Sequence, residues 1–348
     1  MRHCHCGVQW RYDFGLLEGG SIQEGLVIKA QSGFYTLLTE TGEQVVARVR
    51  GRLKKKRSES TIVAVGDRVT WQTLDDGGTV IESVHKRVRA LARLKPLASG
   101  RGTRRWDRQG YLREQEQVII ANLDQAIFVV ACANPDPHLR MLDRLLVAAE
   151  RQDIPTLICA NKIDLVGLEK ANALFRVYEQ IGYDVVYTSA TNGTGIVALR
   201  ERLRDKISAF IGPSGVGKTS LLNALEPGLG KRVKTVSDAT GKGRHTTTVT
   251  EMVPLALGGW IADSPGIRAL ALFDLDPEEI DAYFPDIAPH VPDCAFSDCT
   301  HTVEPGCAVL RAVETGDVDI HRHESYVRLH EEHRKLADMY WWGIDEEN

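Results

Sequence analysis

Along residues 25 to 90 the apolar positions come in short runs broken by turn signals. "GLVIKAQSGFYTLLT" breaks at Ser32-Gly33, "QVVARVRGRL" follows Thr41-Gly42, and "DRVTWQTLDDGGTVIESV" folds back around Asp75 to Gly78. Several short strands at this spacing predict a small barrel or sandwich, and a five-stranded OB-fold barrel is the natural host for the basic insertion "RVRGRLKKKRSES" at 48–60. Residues 95–117 are polar and rich in Gly and Arg, which predicts a linker; a second RNA-contact segment, with Trp106 and Tyr111 for stacking, is the alternative.

From residue 118 the pattern changes to strands alternating with helices. "QAIFVVACA" is a continuous apolar run, as a buried strand requires. Leu139, Leu142, Leu145, Leu146 and Ala149 recur on one helical face. "TLICANKID" is a strand running into a loop, "EKANALFRVYEQIG" a helix stopped by Gly182, and "DVVYTSA" a further strand into a loop. "ISAFIGPSGVGKTSLLNAL" reads strand, glycine loop, helix, and "TVTEMVPLALGGWIADSPG" a hairpin ending at Asp263. Such alternation specifies a doubly wound sheet, whose ligands bind at the carboxyl ends of the strands. The tail, 277–348, holds a Cys/His cluster and then a charged helical run.

The expected architecture is multidomain. It comprises an extension at 1–20, an OB-fold β-barrel at 21–95, a linker at 96–117, an α/β P-loop domain at 118–275, and a mainly helical zinc-binding domain at 276–348. The formal net charge of −4 conceals an asymmetry: residues 21–113 carry 19 Lys plus Arg against 9 Asp plus Glu, a balance of +10. The front of the chain is thus expected to meet a polyanion, with Lys54, Lys55 and Lys56 foremost. No apolar run reaches the roughly 18 residues of a membrane helix, and "MRHCHCGVQWRYDFG" lacks the apolar core of a secretory signal, so a cytoplasmic protein without membrane contact is expected.

Gly212-Pro213-Ser214-Gly215-Val216-Gly217-Lys218-Thr219, followed by Ser220, satisfies the phosphate-loop pattern G-x-x-x-x-G-K-S/T. Its glycines let backbone N–H groups turn toward phosphate oxygens, and the following helix adds its positive end. Lys218 is expected to reach the β- and γ-phosphates, and Thr219 to ligate Mg²⁺. Asn161-Lys162-Ile163-Asp164 follows an apolar strand. The Asp164 carboxylate can accept from guanine N1–H and the 2-amino group; adenine offers neither donor, and an unpaired buried acceptor costs about 1–3 kcal/mol. Ser189-Ala190 can supply a backbone N–H to guanine O6. Asp263-Ser264-Pro265-Gly266 matches D-x-x-G, with Asp263 toward Mg²⁺ through water and the Gly266 N–H toward the γ-phosphate. Within "SDATGKGRHTTTVTEM", Thr247 is expected to reach Mg²⁺, with Thr246 close behind.

These motifs stand in an unusual order. The base-recognition pair precedes the phosphate loop, whereas one GTP site ordinarily has it following. Joining the old chain ends and reopening the chain after the second switch leaves the site unchanged in space, so the sequence reads as a circularly permuted GTPase. The position after D-x-x-G, where many GTPases place a water-orienting Gln, is Ile267. His245 is the candidate to orient that water; an exposed switch histidine is the alternative.

Cys294-x4-Cys299-x-His301-x5-Cys307 places three thiols and one imidazole within 14 residues, the composition of a closed structural zinc site. His321, His323, His330 and His333 read as helix-surface residues, and Cys132 and Cys159 as buried core thiols.

With these marks assembled, the chain resembles the ribosome small-subunit-dependent GTPases, the bacterial type called ribosome biogenesis GTPase A. The likeness runs over roughly residues 22–340 and is carried by "NKIDL", "GPSGVGKTSL", "GKGRHTTT", "DSPGI" and "FSDCTHTVEPGCAV". It implies an OB-fold, a permuted GTPase core and a zinc domain. It also implies GTP hydrolysis stimulated by the small ribosomal subunit during late subunit maturation, and a water-positioning role for His245. Residues 1–20 have no counterpart in it. The expected partners are GTP and GDP, ribosomal RNA and the small subunit, engaged by a monomer. A GTP-dependent RNA-binding switch with negligible turnover is the second reading; an ATP-dependent kinase is disfavoured by the Asn161–Asp164 motif.

Overall fold

The computed structural model describes residues 22–51, 53, 61–94, 116–238, 250–263 and 275–342. Strands β1 (Gln23–Gln31), β2 (Phe34–Thr39), β3 (Gln44–Val49), β4 (Arg68–Thr73) and β5 (Thr79–Val84) pair in the order β1-β2-β3-β5-β4, and β4 closes back onto β1. This is the closed five-stranded OB-fold barrel, with β3 and β5 parallel and the remaining neighbours antiparallel. Alternation places Val27, Leu37, Val69, Trp71 and Ile81 inside. The segment read as a basic loop begins within β3, which contains Arg48 and Val49.

Strands β6 (Ala90–Leu94) and β7 (Glu116–Ala121) form a separate antiparallel pair between barrel and central domain. Glu116 and Gln117, read as the end of a linker, therefore open a strand.

The central sheet has five parallel strands: β8 (Gln125–Ala131), β9 (Thr156–Asn161), β10 (Asp184–Thr188), β11 (Ile207–Ile211) and β13 (Trp260–Asp263). An antiparallel strand β12 (Thr250–Pro254) flanks β13, giving the order β10-β9-β8-β11-β13-β12. Every position of β8 is buried, as expected of a strand covered on both faces. The covering helices are α1 (Leu139–Arg151), α2 (Leu168–Gln180), α3 (Ile196–Leu203), α4 (Lys218–Leu225) and α5 (Leu229–Asp238). Strand β12 also pairs with β1 of the barrel, Lys29 opposite Glu251 and Ala30 opposite Thr250, so a single eleven-stranded sheet runs through both units.

The C-terminal unit comprises two 3-10 turns, Pro277–Tyr283 and Ala288–Asp293, then α6 (Ala308–Thr315) and α7 (Ile320–Trp342). Its core of Ile280, Phe284, Ile287, Val309 and Tyr326 is completed by Val147 and Ala148 of α1. Helix α1 thus belongs to two cores, because Leu142, Leu145 and Leu146 face the sheet. Arg322 of α7 is 2% exposed and crosses this boundary. It donates to Asp143 Oδ1 at 2.6 Å and, by Nε and Nη2, to Asp286 at 3.1 and 2.8 Å. Tyr178 of α2 donates to the same Asp143 oxygen at 2.9 Å.

Candidate nucleotide site and metal centre

The glycine loop occupies the turn from β11 into α4, and its backbone demands glycine at specific points. Gly212 has φ 156°, and a Cβ there would lie 2.4 Å from the Val129 carbonyl oxygen. Gly217 has φ 98°, and its Cβ would lie 2.4 Å from Asn161 Nδ2. Bulk at Gly217 would therefore push apart the two loops brought together here.

Asn161 ends β9, and β8 alone separates β9 from β11 in the sheet. Its side chain is 1% exposed and donates to the Val216 carbonyl at 2.8 Å, while its Oδ1 accepts from Thr188 Oγ1 at 3.2 Å. Lys162 follows in the left-handed region, φ 64°. That conformation is unfavourable for a side-chain-bearing residue by about 1–2 kcal/mol, and the lysine is held by its ends. Its Nζ donates to the Gly215 carbonyl at 2.7 Å and to the Asn134 carbonyl. Asp164 lies exposed in the 3-10 turn Ile163–Leu165, anchored by buried Ile163. Burial, and then the charge of Asp164, push the Cys132 thiol up to about 11. Cys159, fully buried, is pushed up to about 12 by burial, against the Thr188 hydrogen bond. Both thiols are inert core residues.

Thr188 ends β10, and buried Ser189 follows; its N–H donates to the Thr194 carbonyl at 3.0 Å, and its carbonyl accepts from Gly193 N–H at 3.0 Å. This compact turn carries half-buried Ala190. Lys218 opens α4 with Nζ over the loop, donating to the Gly212 and Pro213 carbonyls at 2.5 and 2.7 Å. A cavity of about 460 Å³ opens above the loop, lined by Gly212, Pro213, Ser214, Gly215, Gly217, Lys218, Thr219 and Ser220, with Met141 and Leu145 of α1 on its flank. Val216 is the loop's inward anchor, 1% exposed. Asp263 is the last residue of β13, next to β11 and opposite Glu251 of β12. The four motif-bearing strands β9, β10, β11 and β13 therefore end at one edge of the parallel sheet. His245, Thr246, Thr247, Gly266, Ile267 and Lys54–Lys56 lie outside the described residues.

The roles of three residues escape sequence reasoning. Asn134 acts through its carbonyl, which any residue type supplies. Leu145 is visible as part of the helical stripe and Met141 lies outside it, and nothing in the pattern says that the first turns of α1 border the glycine loop.

In the C-terminal unit the ligand atoms of Cys294, Cys299, His301 and Cys307 all lie within 4.8 Å of one another. The Cys294–Cys307 sulfurs are 3.9 Å apart, and His301 Nδ1 is 3.5 Å from each. A tetrahedral ion with bonds of about 2.3 Å to sulfur and about 2.0 Å to nitrogen requires edges of about 3.8 and 3.5 Å. The donor set and its spacing therefore fit one zinc-sized ion. Backbone N–H groups of Ala308 and Leu310 donate to the Cys294 and Cys307 sulfurs at 3.4 Å each, which favours thiolates. His301 Nε2 faces Asp281 Oδ2 at 3.2 Å, leaving Nδ1 for the metal. Burial opposes charge on His301 while Asp281 and the neighbouring sulfurs favour it, so a metal ion binding Nδ1 would displace a proton there. Glu304 clamps the ligand loop by accepting from Thr300 and Thr302 N–H at 2.9 and 3.0 Å.

One expectation is corrected. His321 is exposed, but His330 and His333 are buried at 7% and 3% exposure, and His323 Nε2 meets the His301 carbonyl at 2.8 Å. Helix α7 packs against α1 and the Pro277–Tyr283 turn, so the face that carries His323, His330 and His333 is turned inward while His321 faces solvent. None of these four joins the metal cluster.

Comparison with known proteins agrees with this arrangement. The family described as RsgA GTPase matches residues 105–273, and the RsgA N-terminal domain matches residues 24–81. The small ribosomal subunit biogenesis GTPase RsgA of Gemmatimonas aurantiaca is 45% identical over 310 residues, spanning 88% of this chain and 96% of its own. The protein of the same name from Chlorobaculum parvum is 39% identical over 305 residues, with 88% and 96% covered. Among solved structures, YjeQ from Thermotoga maritima superposes with a TM-score of 0.70 at 34% identity, covering 90% of this chain and 99% of its own. YloQ, described as a circularly permuted GTPase, superposes at 0.66 and 29% identity, covering 96% and 98%. With its barrel, its permuted nucleotide domain and near full-length kinship to these proteins, the chain belongs to the RsgA GTPase family.

Proposed function

We propose that this chain binds and hydrolyses GTP in the service of small ribosomal subunit maturation, contacting ribosomal RNA through its N-terminal barrel. The supporting observation is the hydrogen bond from Asn161 to the Val216 carbonyl, which ties the base-recognition loop to the phosphate loop. Asp164 reads the guanine edge, Asn161 and Lys162 brace and cover the base, and Ser189-Ala190 supplies a backbone donor to O6. The backbone from Gly212 to Ser220 cradles the phosphates; Lys218 exchanges its carbonyl partners for β- and γ-phosphate oxygens. Thr219 and Thr247 would hold Mg²⁺, with Asp263 behind water, and the ion would offset charge on the β- and γ-phosphates. Gly266 senses the γ-phosphate, and His245 orients the attacking water. Cys294, Cys299, His301 and Cys307 would hold one structural zinc ion.

The working division of the chain is barrel 21–95, GTPase 118–275 and zinc domain 276–348, acting as a cytoplasmic monomer. No described helix is long and apolar enough to cross a membrane. The test is GTP turnover measured alone, with purified small subunits and with large subunits. Stimulation by small subunits only is expected. A rate unaffected by either subunit would reject coupling, and binding without turnover would leave a GTP-dependent RNA-binding switch.

A further inference from the structure

The barrel carries an aromatic residue on its outside. Strand β2 buries Leu37 and Thr39, so alternation turns Phe34 outward, where it is 43% exposed. Strand β3 buries Ala47 and Val49, and turns Val46 and Arg48 outward. Phe34 and Arg48 are direct cross-strand partners, and the guanidinium carbon lies 4.5 Å from the centre of the ring. The next pair on this face is Thr36 opposite Val46, the valine 59% exposed.

Arg48 differs from its basic neighbours in the partner it keeps. Lys29 is paired with Glu251, Arg50 with Glu82 and Arg87 with Asp67. Among the described residues Arg48 has no carboxylate partner; it lies on the Phe34 ring. A guanidinium over an aromatic face is attracted by the ring quadrupole, and Arg48 remains exposed to solvent. Phe34 directly follows the Ser32-Gly33 turn of the β1–β2 hairpin, where φ is 50° and 82°. The outer face of strands 2 and 3 and the neighbouring hairpin loop are where OB-folds take oligonucleotides.

We propose that Phe34 and Arg48 form a stacking platform for an unpaired nucleotide of RNA. The inference rests on the reading of the barrel as the RNA-contacting unit and names the contact. An unpaired base offers a free π-face to the ring or to the guanidinium, while the cation meets the adjoining phosphate. Duplex RNA keeps its base faces stacked and cannot use the platform. The balance of +10 over residues 21–113 draws the strand in without reading its sequence.

The experiment uses the full chain, a labelled single-stranded RNA of about twelve nucleotides and the duplex of the same sequence, with affinity measured over a range of salt. Phe34→Leu is expected to weaken single-strand binding about tenfold and leave the slope of log K against log salt unchanged, because stacking releases no counterions. Phe34→Trp should match or exceed the parent. Arg48→Gln should weaken binding and lower the slope by about 0.7. Single-strand binding by Phe34→Leu within twofold of the parent would overturn the platform, as would equal losses on strand and duplex. Should Phe34→Leu fail to fold, Phe34→Trp decides: a large loss with tryptophan contradicts stacking. A parent chain that small subunits stimulate, with Phe34→Leu binding RNA as the parent does, would sink the platform alone. A parent that no subunit stimulates would sink the functional reading instead.

Discussion

The amide of Asn161 donates to the carbonyl of Val216 at 2.8 Å across 55 positions of sequence. The bond is buried, and the Oδ1 of the same side chain accepts from Thr188, the last residue of β10, so the ends of β9 and β10 and the glycine loop after β11 meet at one side chain. Circular permutation is tolerable here because the site consists of strand ends in a sheet. Which loop comes first along the chain has no bearing on what one nucleotide touches.

Arg322 presents the clearest stability test. Its guanidinium is held between Asp143 of helix α1 and Asp286 of the C-terminal unit. Arg322→Met leaves two buried carboxylates without their cation and is expected to cost about 3–5 kcal/mol. Adding Asp143→Leu and Asp286→Leu should recover much of that loss, because the apolar triple variant buries no charge. Denaturant midpoints of the parent, single and triple variants check this. A single variant as stable as the parent would contradict it.

Metal retention should depend on a residue outside the ligand set. Asp281 meets His301 Nε2 and orients Nδ1 toward the sulfurs. Asp281→Ala is expected to weaken zinc about 10–100-fold in competition with a chelator, while Cys307→Ser lowers bound zinc outright. Elemental analysis after graded chelation reads both. Parent protein that contains no zinc when isolated without chelator would refute the site.

Acid should loosen the C-terminal unit. Burial holds His330 and His333 below the ordinary value of 6.5; Arg334 adds to this at His330 and Arg144 at His333. Both folded-state pKa values are depressed, so the unfolded chain binds more protons as pH falls below about 6.5. Their contribution is full above that pH, and is lost as pH drops through the unfolded and then the folded value. His333→Leu removes one such proton. Its thermal midpoint should fall less than the parent's between pH 7.5 and 5.5; equal falls would show that His333 takes no part.

Much of the fold and of the site is legible in the amino-acid sequence. Short runs cut by Ser32-Gly33, Thr41-Gly42 and Asp75–Gly78 define the barrel because a strand has a two-residue period and its turns need special backbone. The glycine loop, Asn161–Asp164 and the cysteines stand out as site candidates because phosphate, guanine and metal binding each favour set residue types at set spacing. The contacts joining units are not. Asp143 within an amphipathic helix looks like a solvated charge, and only the fold brings Arg322 to it, 179 positions away. The burial of His330 and His333 escapes the sequence for a related reason: no polar-to-apolar stripe marks the buried face of α7, where histidines and tyrosine pack ring against ring. Asp281 lies 20 residues from His301, outside any local motif. The β1–β12 pairing depends on two edges that meet only in the assembled sheet.

The proposed function turns on Asp164 reading guanine in the pocket where Lys218 grips phosphate. Xanthine replaces the guanine 2-amino donor with a carbonyl acceptor, and Asp164→Asn supplies the matching N–H. The direct measurement is equilibrium binding of GTP and XTP to the parent, Asp164→Asn and Lys218→Ala. Asp164→Asn is expected to lose GTP affinity about 100-fold, near 2.7 kcal/mol, and to gain XTP, while Lys218→Ala weakens the parent's GTP binding. An Asp164→Asn chain that still prefers GTP as strongly as the parent would contradict the shared site.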